Sequence, residues 1–318
     1  ATTEIYTLSL HDALPISCVS SCPSGAMYKR EEDGIVLVDQ NACRSWRHCV
    51  SSCPYKKVYF NWQTNKAEKC TLCFPRLEAG LPTICSETCV GRIRYLGVML
   101  YDAEKVEEAA SAENEKDLYH SQLEIFLDPN DPAVAEEAKA QGIPLEWIEA
   151  AQKSPIYKMI IDWKIALPLH PEYRTLPMVW YIPPLSPIMN MFEGKGTAQS
   201  AEDIFPAIDE MRIPIEYLAN LLTAGDTHHI RTTLKKMSVM RMHMRATQTN
   251  KQIDSSLIQD TGLTEEQIED MYRLLAIAKY DDRFVIPQTH REEVADLYME
   301  QGSCGLSFAG GPGSCQNI

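Results

Sequence analysis

Apolar and polar residues alternate over short distances in the first third of the chain. Between residues 17 and 100, brief apolar runs are separated by turn residues, and Asp33-Gly34 joins two such runs at 26–30 and 35–39. Two apolar runs around an Asp-Gly pair are typical of a β-hairpin. A further apolar run at 58–62 predicts another strand.

From residue 101 onward the apolar spacing becomes that of helices. Asp131 followed by Pro132 predicts the start of a helix over 132–141, and Thr264 with Gln267 predicts a capping box at the start of another. The same spacing predicts further helices over 144–151, 155–167, 213–223 and 228–246.

Charge is distributed unevenly along the 318 residues, whose formal net charge is −14. Residues 17–100 carry 11 Lys and Arg against seven Asp and Glu, so the acidic excess lies beyond them. A chain this acidic is not expected to bind nucleic acid through its overall field. The sequence has no run of about 18 to 20 apolar residues, so we expect no transmembrane helix in it.

Eleven cysteines are present, and nine of them lie between Cys18 and Cys89 in short spacings. Disulfide frameworks belong to small, loop-rich secreted domains, whereas this chain is long, rich in helical patterns and 45% hydrophobic. The clustered thiols therefore indicate metal ligands in a reducing compartment. Cys304 and Cys315 lie apart from the others, and we assign them no role.

The motif C-x2-W-x2-C-x3-C-P at residues 43–54 has the spacing of a bacterial ferredoxin run with tryptophan at the second ligand position. An indole offers only an N–H donor, so Trp46 cannot bind iron. Cys43, Cys49 and the cross-reaching Cys22 then predict a three-thiolate site, which suits a 3Fe-4S cluster. A tryptophan that simply packs against its neighbours is the alternative.

Cys18 and Cys53 are the remaining cysteines of these two motifs, and we expect them to share a neighbouring 4Fe-4S cluster. That cluster needs two more thiolates, which we expect upstream of Ser17. Residues 1–16 match the translation of a widely used sequencing-library adapter, so natural sequence is expected to begin near Ser17. A genuine strand at 7–10 is the alternative.

The pattern Cys70-x2-Cys73-x11-Cys85-x3-Cys89 is less specific, because its spacing also suits a four-cysteine zinc site. The two cysteine–proline motifs just before it favour iron–sulfur clusters. A zinc-stabilised binding module stays open as a different class of function.

Other candidate chemistry is sparse. The sequence shows no nucleophile–base pair, phosphate loop or dinucleotide fingerprint, so no catalysis by its own side chains is expected. His228, His229 and His243 have no carboxylates at ligand spacing, and we expect ordinary surface or core histidines. The basic residues among the cysteines either offset cluster charge or are ordinary solvated side chains; they are Arg44, Arg47, Lys56, Lys57, Arg92 and Arg94.

A resemblance to a known family is carried by CPSGAMYKREEDGIVLVDQNACRSWRHCVSSCPYKKVYFNW and KCTLCFPRLEAGLPTICSETCVGRIRYLG. It continues through LHPEYRTLPMVWYIPPLSPI, YLANLLTAGDT and MYRLLAIAKYDDRFVIP, and so covers essentially everything from Ser17 onward. The chain resembles the beta subunits of membrane-bound respiratory nitrate reductases.

The resemblance implies one 3Fe-4S and three 4Fe-4S clusters, which pass electrons from a membrane haem b subunit to a molybdenum catalytic subunit that reduces nitrate. It also implies a position at the cytoplasmic face of the cell membrane, held there by the partner subunits. A beta subunit of a related molybdoenzyme, such as a nitrite oxidoreductase, is the alternative. The implied ligands of the 3Fe-4S cluster are Cys22, Cys43 and Cys49, with Trp46 at the vacant ligand position. Of the four ligands that each 4Fe-4S cluster needs, Cys18 and Cys53 are two for the first cluster, Cys70, Cys73 and Cys85 are three for the second, and Cys89 is one for the third.

Together these patterns predict an α+β fold. Residues 17–100 are expected to form a partial ferredoxin-like iron–sulfur domain, and residues 101–318 a mainly α-helical C-terminal region. Within that region, residues 168–187 are rich in proline and aromatic side chains, so we expect them to run extended over a surface.

Overall fold

The computed structural model describes residues 5–7, 17–30, 33–184, 208–209, 211–250 and 255–287. Most of the adapter-like residues 1–16, the end of the proline-rich segment at 185–187, and Cys304 and Cys315 lie outside them. Within the described chain, short strands and short helices alternate as far as residue 102, and helices predominate beyond it. This agrees with the mixed α and β content that the sequence predicts.

The strands of the described residues pair into small antiparallel sheets, in the orders β1-β7-β8, β2-β3, β4-β5 and β6-β9. The β2-β3 hairpin confirms the prediction around Asp33-Gly34, where Gly34 adopts a φ of +67° that glycine tolerates best. The strand predicted at 58–62 is confirmed as β4. The bounds are β1 (Ile5–Thr7), β2 (Met27–Lys29), β3 (Val36–Val38), β4 (Val58–Asn61), β5 (Lys66–Lys69), β6 (Arg94–Tyr95), β7 (Leu100–Asp102), β8 (Phe126–Leu127) and β9 (Trp180–Tyr181).

Four of the helices are one turn or little longer and lie among the cysteines: α1 (Ser17–Ser20), α2 (His48–Ser52), α3 (Phe74–Glu78) and α4 (Ile84–Glu87). The others follow residue 102: α5 (Ala103–Ala110), α6 (Leu118–Leu123), α7 (Pro132–Ala140), α8 (Leu145–Lys153), α9 (Ile215–Leu222), α10 (Thr227–Gln248), α11 (Ser255–Gln259), α12 (Glu265–Tyr272) and α13 (Tyr280–Arg283).

Local capping signals are confirmed where the sequence shows them. The Asp131 carboxylate accepts the N–H of Ala133 at 2.9 Å at the start of α7. Thr264 and Gln267 form the predicted capping box of α12, with the Gln267 N–H donating to Thr264 Oγ1 at 3.2 Å. Each such cap satisfies backbone N–H groups that have no partner inside the helix and contributes about 1 kcal/mol.

The helix predicted over 155–167 is wrong in its second half. A π-helical turn at Lys158–Asp162 ends where the N–H of Trp163 donates to the Lys158 carbonyl at 2.8 Å. The chain then runs extended, and Leu167 exchanges two backbone hydrogen bonds of 2.8 Å with Tyr181. Pairing with a distant strand therefore overrides the local helical pattern.

The expectation that residues 168–187 run extended over a surface, without regular structure, is also partly wrong. A 3-10 turn forms at Pro171–Tyr173, and β9 pairs with β6. Trp180 of β9 is only 2% exposed and packs in the main core. Burying a side chain of this size contributes about 2–3 kcal/mol, so the segment is part of the packed structure.

Four apolar clusters form among the described residues, and two of them contain residues of the cysteine-rich region and its end that matter most here. The larger one joins Tyr95 and Met99, from the end of the cysteine-rich region, to helices α5, α6, α9, α10 and α12. The smaller one consists of side chains around the first two motifs, namely Cys18, Ala26, Met27, Cys43, Cys49, Cys53, Val58 and Ala67. In the described part of the chain, no helix has the length and apolar character that crossing a membrane requires.

Candidate iron–sulfur cluster sites

Cys22 and Cys43 lie near Cys49, which is part of α2. Asp39 shapes the loop that carries Cys43: its carbonyl accepts the Cys43 N–H at 3.0 Å, and its carboxylate accepts the Asn41 N–H at 2.8 Å. Burial raises the pKa of the Cys49 thiol, and the charges of Cys22 and Cys43 raise it further. The three sulfurs are therefore close enough for their charges to interact, as a three-thiolate site requires.

The Cys22 sulfur is surrounded by hydrogen-bond donors. Its partial burial raises the thiol pKa, but the donors outweigh that effect and the pKa lies below its ordinary value. Ser24 Oγ is 3.5 Å from the sulfur, and the backbone N–H groups of Met27, Ser24 and Ala26 also interact with it. Donors around a sulfur stabilise the thiolate, which is the form that binds iron.

Trp46 lies in the loop between Cys43 and Cys49, and its side chain is 56% exposed. A tryptophan retained for core packing would be buried, so this exposure does not support the packing alternative. Ser45 and Arg47, on either side, have φ angles of 65° and 64°, which residues other than glycine adopt rarely. The loop is therefore held in an uncommon conformation at the position where a ferredoxin has its second ligand.

Cys18 and Cys53 form a second pair and line a cavity of about 370 Å³. Burial raises the pKa of the Cys18 thiol, the charge of Cys53 raises it further, and the cation of Lys69 lowers it. Cys70, from the next cysteine motif, also lines this cavity.

Lys69 at the end of β5 is a cation close to these thiols, and sequence reasoning missed it. Its ammonium group donates to the Val36 carbonyl and, at 2.7 Å, to the Cys70 carbonyl. Burial lowers its pKa, whereas the charges of Cys70, Cys18 and Cys53 raise it. Its position directly before Cys70 was the available signal. In this position its charge interacts with those of Cys18, Cys53 and Cys70.

A third group consists of Cys70, Cys73 and Cys85. Burial raises the pKa of the Cys73 thiol, and the charges of Cys70 and Cys85 both add to that increase. Leu72 and Cys73 have φ angles of 56° and 51°, which turn the CxxC loop so that the Leu72 N–H donates to Cys70 Sγ at 3.4 Å. The Cys85 thiol donates to Thr83 Oγ1 at 3.5 Å.

The charge of Cys89 acts on the buried hydroxyl of Tyr95. A four-cysteine zinc site would hold its sulfurs about 3.8 Å apart. Among the described residues, no three cysteine sulfurs lie within 4.8 Å of one another.

The predicted basic residues do not share one role. Arg92 donates to the carbonyls of Leu275 and Ala278 at 3.2 and 3.3 Å and so ties the last cysteine loop to the helical region. Arg47 places its guanidinium over the rings of Phe60 and Trp62, at 5.3 and 5.2 Å from their centres. Neither contact is with a cysteine.

Several features fit bound iron–sulfur clusters. They are free thiols, the grouping of these thiols in space, N–H donors to sulfur, and a half-buried cation whose charge acts on two of the groups. Residues 11–99 match the family described as "4Fe-4S dicluster domain". These features define the chain as an iron–sulfur protein of the ferredoxin type.

Further comparisons specify the family. Residues 185–265 match the family described as "Respiratory nitrate reductase beta C-terminal". The nitrate reductase beta chain of Bacillus subtilis is 88% identical over 94% of this chain and 61% of its own length. The respiratory nitrate reductase 2 beta chain of Escherichia coli is 60% identical over 93% and 57%, and the beta chain of a Bradyrhizobium species is 43% identical over 88% and 82%.

The chain therefore belongs to the family of respiratory nitrate reductase beta chains. It spans about three fifths of the length of the Bacillus and Escherichia relatives.

Proposed function

We propose that this chain is the electron-relay part of a respiratory nitrate reductase. Iron–sulfur clusters, when bound, supply one-electron transfer at potentials that depend on cluster type, hydrogen bonds and burial. The observation that carries the proposal is the separation of the cysteines into a group of three, a pair and a second group of three. Such successive groups suit a chain of redox centres.

The ligand assignment is part of the proposal. Cys22, Cys43 and Cys49 hold a 3Fe-4S cluster, with Trp46 in the place of a fourth ligand. The other cysteines contribute to 4Fe-4S sites: Cys18 and Cys53 to one, Cys70, Cys73 and Cys85 to a second, and Cys89 to a third.

The protein's own residues have three tasks in this scheme. The apolar cluster around Ala26, Met27 and Val58 excludes water from the first two groups of thiols. The donors around Cys22 lower the pKa of its thiol and so favour the ionised form. Lys69 lies between the Cys18–Cys53 pair and Cys70, and there its charge offsets thiolate charge on both sides.

The proposed partners are a membrane haem b subunit, as electron donor, and a molybdenum catalytic subunit, as acceptor and site of nitrate reduction. In this scheme the chain is attached peripherally, at the cytoplasmic face of the cell membrane, through those subunits. The family membership supports this arrangement.

Low-temperature EPR with iron, sulfide and zinc analysis, on the anaerobically purified chain, tests the relay. We expect a 3Fe-4S signal in the oxidised protein that is lost in Cys43→Ser. Cys304→Ser removes a thiol to which we assign no role and is the matched control. A colourless protein with stoichiometric zinc and no sulfide would instead establish the zinc-stabilised binding module.

The alternative is that the chain is the beta subunit of a different molybdoenzyme, such as a nitrite oxidoreductase. Copurification tests this alternative. The catalytic subunit captured by the tagged chain in its source cells is assayed with nitrate and with nitrite. Faster turnover of nitrate supports the proposal, and turnover of nitrite alone contradicts it.

A further inference from the structure

His243 lies in the second half of the long helix α10 and faces α12. Its side chain is 5% exposed, yet neither ring nitrogen has a hydrogen-bond partner among the described residues. Buried polar atoms in proteins nearly always have a partner, so two unpartnered nitrogens on one buried ring need an explanation. The sequence suggested only an ordinary histidine here.

Two carboxylates of α12 point at this ring. Glu265 and Glu269 are four residues apart and so lie on the same face of the helix. Glu265 Oε1 is 3.6 Å from His243 Nε2, and Glu269 Oε1 is 3.7 Å from it. Both distances exceed those of a hydrogen bond, which are about 2.7 to 3.2 Å for nitrogen and oxygen.

The same distances suit a metal ion. Zinc binds histidine nitrogen and carboxylate oxygen at about 2.0 to 2.2 Å, and a tetrahedron with such bonds has ligand–ligand edges of about 3.3 to 3.6 Å. One ligand atom from each of the three residues lies within 4.8 Å of the other two. In the described chain, no other set of three histidine, cysteine or acidic residues meets that condition.

We propose that His243, Glu265 and Glu269 bind a divalent transition-metal ion that joins α10 to α12. One imidazole and two carboxylates form a nitrogen–oxygen donor set of the kind used for Zn²⁺, Mn²⁺ or Fe²⁺. The two carboxylates balance the charge of a divalent ion, and the imidazole adds a nitrogen ligand. The glutamate side chains are 69% and 47% exposed, so water reaches the site and completes the coordination.

The site is held by structure that does not depend on the metal. The Thr264–Gln267 capping box begins α12 directly before Glu265. Ile268 and Met271 on the same helix are fully buried in the main core. The α12 backbone is therefore fixed against α10, and only the glutamate side chains need to adjust when the ion binds.

Mn²⁺ is the probe that avoids the cysteines, because thiolates favour softer ions. The full chain with its iron–sulfur clusters is titrated with Mn²⁺ at room temperature, and the EPR signal of the free ion reports binding. Glu269→Gln is the main variant, since it changes an exposed side chain and keeps its size. Glu266→Gln is the matched control, with the same change on a neighbouring exposed residue of α12.

We expect one saturable Mn²⁺ equivalent in the original chain, with an apparent Kd at least about tenfold weaker in Glu269→Gln and unchanged in Glu266→Gln. His243→Gln is expected to lose the site as well, and its circular dichroism spectrum shows whether it folds. Saturating Mn²⁺ is expected to raise the Tm of the original chain and of the Glu266 variant only.

Equal Mn²⁺ binding by the original chain and Glu269→Gln overturns the proposal, as does the lack of a saturable equivalent in the original chain. Either result leaves His243 beside the two carboxylates without a metal ion between them. These outcomes do not depend on electron relay, because cluster content is measured separately on the same samples.

Discussion

Replacement of Trp46 by cysteine tests the ligand assignment most directly. The substitution restores C-x2-C-x2-C-x3-C-P over residues 43–54, the run that binds four-iron clusters in bacterial ferredoxins. We expect the 3Fe-4S site to become a 4Fe-4S site. The EPR signal of the oxidised 3Fe-4S cluster then disappears, and the iron content rises by one atom per chain.

The protein should tolerate this change. Trp46 is 56% exposed, so a little under half of its surface, which is roughly 250 Å² in total, is removed from water. At about 25 cal/mol per Å², removing the indole costs at most about 3 kcal/mol, and the new side chain restores part of that. A domain stable by about 5 to 15 kcal/mol remains folded.

The assay is EPR of the oxidised protein with iron and sulfide analysis, on original and variant chains purified together. Trp62→Cys is the matched control, because Trp62 is 71% exposed and lies outside the cysteine motifs. It adds the same thiol and should leave the 3Fe-4S signal unchanged. The reasoning fails if the Trp46 variant keeps the signal at full intensity, or if both variants lose it equally.

Three further predictions concern stability, each measured by urea unfolding. In Gly97→Ala the new Cβ lies 2.5 Å from Ser154 Oγ, so we expect the free energy of unfolding to fall by about 1 to 3 kcal/mol. In the control Gly91→Ala the new Cβ has no contact closer than 3.4 Å, so its stability should be nearly unchanged. Equal losses in the two variants would contradict this. Burial lowers the pKa of His229 in the folded chain below the ordinary value of 6.5. Just below pH 6.5 the unfolded chain therefore binds more protons than the folded chain does. Stability should then fall as the pH falls below 6.5. His229→Gln should make the dependence between about pH 5 and pH 7 shallower, and an unchanged slope contradicts this. Thr264→Ala removes the capping box of α12 and should cost about 1 kcal/mol, whereas Thr264→Ser should cost much less.

Local sequence signals predicted those features that form within a few residues. The Asp33-Gly34 turn, the Asp131 cap and the Thr264 capping box each act between neighbours, and each is present in the structure. The cysteine spacings are of the same kind, because two or three intervening residues decide whether two sulfurs face one centre. The family resemblance was likewise carried by contiguous segments.

Tertiary structure decided which distant elements meet. Residues 165–167 leave a helical pattern because Leu167 pairs with Tyr181, 14 residues further on, and no local signal announces that partner. The placement of Lys69 between two groups of thiols depends on how its hairpin packs. His243 and Glu265 are 22 residues apart on different helices, so only the packing of those helices brings them to 3.6 Å. Burial and long-range pairing depend on the whole chain, and a pattern read along the sequence does not contain them.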